Sequence, residues 1–144
     1  MEPSAGQVRP RKESPAQGRI LVVDDHELNV VLLERLLELE GHEVRAADSL
    51  AAAERALAEE HPAMIVLDMN LPDGSGLELS RKLKAHPRTA SIPILACTAG
   101  VMPSDERDAL AAGCDAYVSK PIDLRRFAEV VEAMLSASAA AQRR

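Results

Sequence analysis

The sequence predicts an α/β domain in which five parallel strands form one sheet covered by helices on both faces. Three observations predict it. Short apolar runs alternate with longer segments of helical periodicity, the order expected when right-handed crossovers return each strand parallel to the last. The first run, Ile20-Leu21-Val22-Val23, is continuously apolar and stops at acidic residues, as in a strand buried on both faces. Hydrophobic residues make up 47% of the 144 positions but aromatics only 1%, so the core is aliphatic, which suits helices packed on a sheet.

The elements follow in order. Residues 1–18 collect Pro3, Pro10, Pro15, Gly6 and Gly18 with almost no large apolar side chain, a composition that does not repay ordering and reads as a flexible tail. After the first strand, Glu27 to Glu40 places leucines at helical spacings and Gly41 stops it. His42 to Ala46 is a short strand. Ser49 caps a helix reaching about Glu60, with Leu50, Ala53 and Leu57 inward, and Pro62 closes it. Met64 to Leu67 is the third strand, Leu71 to Gly76 is a loop by composition, and Leu77 to Ala85 is helical. Ile92 to Cys97 is the fourth strand, and Ser104 to Ala112 is a helix opened by Pro103 and stopped by Gly113. Ala116-Tyr117-Val118 is the fifth strand, and Asp123 caps a last helix with Leu124, Phe127, Val131, Met134 and Leu135 on one face. The domain spans 19–136, and the Ala- and Ser-rich, then basic, residues 137–144 form a C-terminal tail.

Seventeen basic residues against 23 acidic give a net charge of −6, and Arg9, Arg11, Lys12, Arg19, Arg143 and Arg144 sit near the ends, leaving an acidic middle. No basic stripe interleaved with aromatics is present, which argues against direct DNA binding and favours cations as partners. No apolar run approaches the roughly 20 residues of a membrane span and no signal peptide opens the chain, so a cytoplasmic protein with no membrane association is expected. Cys97 and Cys114 lack a paired-ligand spacing and read as buried free thiols.

In a parallel sheet of this kind, ligands bind beyond the carboxyl ends of the strands. There the sequence places Asp24-Asp25, Asp68, Thr98 and Ser119-Lys120. Three carboxylates on one edge repel unless one is protonated or a cation lies among them, and hard oxygen donors suit Mg²⁺. A cation, a carboxylate nucleophile, a hydroxyl and an ammonium are the parts of a phosphoryl transfer to aspartate. Singly, each acid reads as well as a strand end or a helix cap. His26, beside the acidic pair, reads as a loop or helix-start residue near the metal, and His42, His61 and His86 form no ligand spacing.

Val23-Asp24-Asp25, Asp68-Met69-Asn70-Leu71-Pro72 with Gly76, Thr98-Ala99 and Tyr117-Val118-Ser119-Lys120-Pro121 together resemble the receiver domains of two-component response regulators, over about residues 19–136. The resemblance implies a flavodoxin-like three-layer sandwich with strand order 2-1-3-4-5. It implies that Asp68 is the phosphoacceptor, taking a phosphoryl group from a sensor histidine kinase or a histidine phosphotransferase. It also implies Mg²⁺ (or Mn²⁺) held by Asp25, Asp68 and the backbone carbonyl of Asn70, with Asp24 on a metal-bound water or as a direct ligand. Lys120 would pair with Asp68 and then with the phosphoryl group, Thr98 would follow the phosphoryl group, and Tyr117 would turn inward as the partner in the switch. The Lys120–Pro121 bond is cis by resemblance, although the residues alone leave it open.

The run Ile20 to Asp25 with Glu27-Leu28-Asn29, and Gly113 to Tyr117, is similar to stand-alone receivers of the DivK type. Such a chain is a phosphoacceptor switch rather than an enzyme, assisting only its own phosphorylation and dephosphorylation. It acts as a monomer or a phosphorylation-dependent dimer through contacts with a downstream protein, kinase or adaptor. By resemblance the first helix meets the kinase, and Leu28 with the surplus leucines up to Leu39 are contact candidates, or simply more core. The fourth helix, fifth strand and fifth helix form the phosphorylation-sensitive face. Met1 favours a complete protein over a receiver cut from a hybrid kinase or larger regulator. A haloacid dehalogenase-type phosphohydrolase fits poorly, since its nucleophile ends the first strand and is followed two residues later by an acid, where Asn70 stands here. A flavin or nucleotide module would need a glycine-rich phosphate loop after the first strand.

Overall fold

The computed structural model describes residues 18–99 and 103–142. The expected N-terminal tail, apart from Gly18, lies outside the described residues, as do Arg143 and Arg144. Along the chain run β1 (Arg19–Val23), α1 (Glu27–Leu39), β2 (Glu43–Ala47), α2 (Leu50–Glu59), β3 (Met64–Asp68), β4 (Asn70–Leu71), β5 (Gly74–Ser75), α3 (Gly76–Ala85), β6 (Ile94–Thr98), α4 (Pro103–Ala111), β7 (Ala116–Ser119) and α5 (Leu124–Gln142).

The main sheet has the order β2-β1-β3-β6-β7 with every pairing parallel. Counting only its own strands, this is the expected 2-1-3-4-5 flavodoxin-like order. β3 and β6 are buried at every position, because each has a strand on either side and helices above and below. β2 is an edge strand and buries fully only Ala47, with its side chains largely in solvent.

The strands alternate their side chains between two aliphatic layers. Leu33 and Leu37 of α1 and Phe127, Val131 and Leu135 of α5 pack with Ile20, Val22, Val66 and Leu95 on one face. Ala53, Ala56 and Leu57 of α2, Leu79 and Leu83 of α3, and Ala109 of α4 pack with Leu21, Val23, Ile65 and Leu67 on the other. The leucine surplus of α1 resolves accordingly: Leu33 and Leu37 are core, whereas Leu28, Val31, Leu32 and Leu39 face solvent.

Helix ends follow the residues that predict them. Ser49 accepts the Ala52 N–H, and Asp123 accepts those of Arg125 and Arg126. Gly41 and Gly113 both adopt φ of 97°, a left-handed conformation in which glycine carries no steric penalty. Elsewhere the structure differs from expectation. Leu71 to Gly76 is not simply a loop, because Asn70 pairs with Ser75 and Leu71 with Gly74 in a small antiparallel hairpin. The tip of that hairpin places Asp73 against α2, where its carboxylate accepts the Leu50 and Ala51 N–H groups. Those two bonds pull the Asp73 pKa below the usual carboxylate value. The fourth strand of the main sheet starts at Ile94 rather than Ile92, and the last helix continues to Gln142, through the alanines expected to begin a tail. Alanine has the highest helix propensity, which favours continuing the helix there.

Polar contacts also join the elements. The buried His42 ring meets Glu132 of α5 through Nε2 at 2.8 Å, while its Nδ1 has no partner among the described residues. Lys84 donates to the carbonyls of Ala90 and Ile92 and to Asp115, whose carboxylate also accepts the Ile94 N–H. Among the described residues no helix is long and apolar enough to cross a membrane.

Gly76 opens α3 directly behind the end of β3. A Cβ there would press on the Asp68 carbonyl oxygen and lie 2.9 Å from Met69 Cε and 3.1 Å from Leu67 Cγ. Gly76→Ala is therefore expected to cost about 1–3 kcal/mol, the range for overpacking. Urea unfolding measures it, and an unchanged midpoint would rule out the close approach.

Candidate functional site

Parallel registration brings the strand ends into line. Asp68 closes β3 and pairs with Cys97, while Thr98 closes β6 and pairs with Ser119. The Lys120 N–H donates to the Thr98 carbonyl at 2.7 Å, and the Lys120–Pro121 peptide is cis. Asp24 follows β1, tied to β2 by its N–H to the Ala47 carbonyl at 3.0 Å.

Asp68 is buried, and its two oxygens face different donors. Oδ1 accepts the Asn70 N–H at 3.2 Å and Oδ2 accepts Lys120 Nζ at 3.1 Å. Burial pushes the Asp68 pKa up, with the nearby Asp24 charge adding to it. The Asn70 N–H and Lys120 pull it down, and the net direction is upward. For Lys120, burial alone would lower the pKa, but the hydrogen bond and charge of Asp68, joined by Asp24, carry it above the ordinary lysine value.

Asp24 is equally buried. Its Oδ1 accepts the His26 N–H at 2.8 Å, and its Oδ2 lies 3.4 Å from Lys120 Nζ and 3.5 Å from Asn29 Nδ2. Asp25 is partly exposed, and one donor atom from each of Asp24, Asp25, His26 and Asp68 falls within 4.8 Å of all the others. At such distances a pair of like charges costs roughly 3–4 kcal/mol for an effective dielectric of about 20. Three carboxylates make three repulsive pairs, and the Lys120 ammonium contacts only two of them. The surplus negative charge, presented on hard oxygen donors, fits a divalent cation. A cleft of about 550 Å³ opens beside it, lined by Asp24, Asp25, Glu27 and Asp48 over Ala46, Ala47 and Ala52.

The structure thus gathers Asp24, Asp25, Asp68 and Lys120, and sets Asn70 beside Asp68 through its backbone N–H. Thr98 is buried at the end of the neighbouring strand. Tyr117 lies further down the sheet, paired with Ala96 and packed on the layer containing α2, α3 and α4. By strand alternation Thr98 shares the sheet face of Ala96 and Tyr117. Partial burial, with the charges of Asp105 and Glu106, raises the Tyr117 phenol pKa above its ordinary value. Cys97, one residue before Thr98, points into the opposite layer, and burial pushes its thiol up to about 12, leaving it inert at neutral pH.

Two residues at the start of α1 complete the cluster. Asn29 reaches back to Asp24 from the first helical turn, and sequence reasoning passed over it. Its signal was positional, since a residue in that turn faces the strand end preceding the helix. His26, read as a residue near the metal, stands with its ring against both Asp24 and Asp25.

Comparison with known proteins agrees with this geometry. Residues 20–132 match the response regulator receiver domain. The polar-differentiation response regulator DivK of Brucella ovis is 40% identical over 117 residues, covering 81% of this chain and 94% of that protein. The signal receiver domain of a signal transduction histidine kinase from Syntrophus aciditrophicus superposes with a TM-score of 0.78 at 30% identity, covering 83% of this chain and 91% of that one. The receiver domain of the sensor histidine kinase PA1611 from Pseudomonas aeruginosa PAO1, which has a magnesium ion coordinated in its active site cleft, superposes with a TM-score of 0.76 at 25% identity, covering 83% and 98%. With the sheet order, the carboxylate edge and a family match over most of its length, the chain belongs to the response regulator receiver family.

Proposed function

We propose that this chain is a single-domain response regulator that accepts a phosphoryl group on Asp68 from a histidine kinase or histidine phosphotransferase. The observation that carries the reading is the buried Asp68 carboxylate, 3.1 Å from Lys120 and clustered with Asp24 and Asp25 at the ligand-binding edge of the sheet. Asp25, Asp68 and the Asn70 backbone carbonyl would hold Mg²⁺ (or Mn²⁺), with Asp24 on a bound water or as a direct ligand. When bound, the cation supplies positive charge to the phosphoryl oxygens and aligns them for in-line attack.

A carboxylate oxygen of Asp68 attacks the phosphorus of the donor phosphohistidine. The new O–P bond forms as the P–N bond breaks, and the departing ring nitrogen keeps the electron pair. Burial of Asp68 removes the water that would otherwise solvate the nucleophile. Lys120 exchanges its contact with Asp68 Oδ2 for a phosphoryl oxygen, so its charge remains paired throughout. Thr98 donates its hydroxyl to the phosphoryl group and shifts toward it, and Tyr117, on the same sheet face, moves into the space released. The phosphoryl group favours that state only through contacts it makes there and not in the resting one.

The chain is a switch, turning over only its own acyl phosphate. Leu28 and Leu32, 80% and 52% exposed on α1 beside the site, would dock the phosphodonor protein. The face formed by α4, β7 and α5 would meet the downstream target, as monomer or phosphorylation-dependent dimer, in the cytoplasm. The coverage of DivK supports a stand-alone role. The likeness to receivers of sensor kinases favours, as a second reading, the same chemistry within a hybrid kinase or larger regulator.

Incubated with Mg²⁺ and a small phosphodonor, the wild-type chain is expected to gain one phosphoryl mass and Asp68→Asn none. Equal labelling of both sinks the assignment. Because Asp68 has a raised pKa, its share of stability is present at low pH and lost as pH rises through its folded pKa. At neutral pH the crowded site therefore costs stability, and a bound cation offsets that cost. Mg²⁺ at about 100-fold over its Kd should add about 2.7 kcal/mol, read as a rise in melting temperature. Asp25→Asn should abolish most of the rise, and an equal rise in that variant would contradict the ligand assignment.

Tyr117 is the sole tyrosine in a chain without tryptophan, so tyrosinate absorbance reports it alone. Its titration midpoint should exceed the ordinary value of about 10. The neutral phenol is favoured in the fold, so its stabilising share is complete below that value and lost as pH rises through the folded midpoint. Asp105→Asn should lower the midpoint, and an unperturbed wild-type value would refute the environment described for the ring.

A further inference from the structure

The His26 ring is turned toward the carboxylate cluster, where its Nδ1 hydrogen-bonds Asp24 Oδ1 and also approaches Asp25. Its main chain is already fixed, since the His26 N–H donates to Asp24 Oδ1 at 2.8 Å. The side chain is 65% exposed. Nevertheless Nδ1 stands 3.2 Å from Asp24 Oδ1 and 3.4 Å from Asp25 Oδ1. It is thereby placed as a neighbour to both carboxylates, within the same 4.8 Å span that includes Asp68.

These separations are those of adjacent ligands on a metal. Bonds of about 2.0–2.1 Å in an octahedron put neighbouring donors about 2.9 Å apart. The same bond length in a tetrahedron puts them about 3.4 Å apart. The observed 3.2 and 3.4 Å lie in the upper part of that interval, the spacing expected of groups that share one ion.

We propose that His26 is a nitrogen ligand of the divalent cation, completing a site otherwise made of oxygens. The inference rests on the reading of this edge as a cation centre. Its chemical consequence is selectivity. Mg²⁺ prefers an all-oxygen shell, whereas imidazole suits first-row transition ions, so His26 tilts the site toward Mn²⁺ and related ions over Mg²⁺. The ligating imidazole must present the Nδ1 lone pair, with its proton on Nε2 toward solvent, where water accepts it.

The full chain loaded with Mn²⁺ tests this by pulsed electron paramagnetic resonance, which reads the hyperfine coupling of a directly bound nitrogen. Wild type should show that coupling, and both His26→Ala and His26→Gln should lose it while retaining Mn²⁺ and a native circular dichroism spectrum. Competition between the ions should give a Mn²⁺-over-Mg²⁺ preference that falls about 10-fold in both variants, at the lower end of what disturbing a metal's surroundings costs. Asp25→Asn, which should lose the ion, identifies the site being read. If Mn²⁺ binds at that site with no nitrogen coupling, or with a coupling the His26 variants retain, the His26 assignment is overturned while the cation centre stands. If the wild-type chain takes up no Mn²⁺, both fail together.

Discussion

The crowding of three carboxylates around one ammonium is the constraint on which the rest of the structure depends. A parallel sheet aligns all its strand ends on one edge, so residues distant in sequence, Asp24, Asp68 and Lys120, meet without any loop having to reach across. Lys120 can neutralise part of the charge but not all of it. Burial, with the Asp24 charge adding to it, raises the Asp68 pKa, and the negative surplus on that edge makes addition or removal of charge there energetically consequential.

The cost of such a site is carried by two aliphatic layers that share nothing with it but the strands. Phe127, Leu33 and Leu37 on one face and Leu57, Leu79 and Leu83 on the other are each fully or nearly buried. Each side chain contributes roughly 1.5–3 kcal/mol on burial. Polar ties add to them: His42 to Glu132 joins the turn after α1 to α5, and Lys84 with Asp115 gathers the start of β6 to the end of α3. Three repulsive pairs at roughly 3–4 kcal/mol each, partly offset by Lys120, are comparable to several of these apolar anchors, which the two layers supply.

The fold was legible because its signals are local and repeated. Continuous apolar runs, Ser49, Asp123, Gly41 and Gly113 each fix an element or its end through short-range chemistry, and the order of elements then selects the sheet. The gathering of Asp24, Asp25, Asp68 and Lys120 was legible too, through the rule that ligands lie beyond strand ends. What was not legible depended on rotamers and on weak competition. Nothing in the residues themselves distinguishes buried Leu33 from exposed Leu32, since α1 is apolar on more than one side. The hairpin at Asn70 to Ser75 is two residues wide, and such pairing is decided by its docking on α2 through Asp73 rather than by propensity. The orientation of the His26 ring and the reach of Asn29 depend on χ angles, which spacing does not determine.

The two sides of the sheet are fastened unequally. α1, α2, α3 and α5 each insert at least one leucine or phenylalanine into a layer, whereas α4 contributes Ala109. An alanine forgoes the three further carbons of a leucine, at about 0.8 kcal/mol for each. α4 therefore has the shallowest footing of the five helices, yet it sits against β7, whose Tyr117 feels the charges of Asp105 and Glu106 on that helix. Among the described residues, detaching α4 would therefore give up less apolar contact than detaching any of the other four helices, although the Ser80 hydroxyl donates to the Ala112 carbonyl just beyond its end.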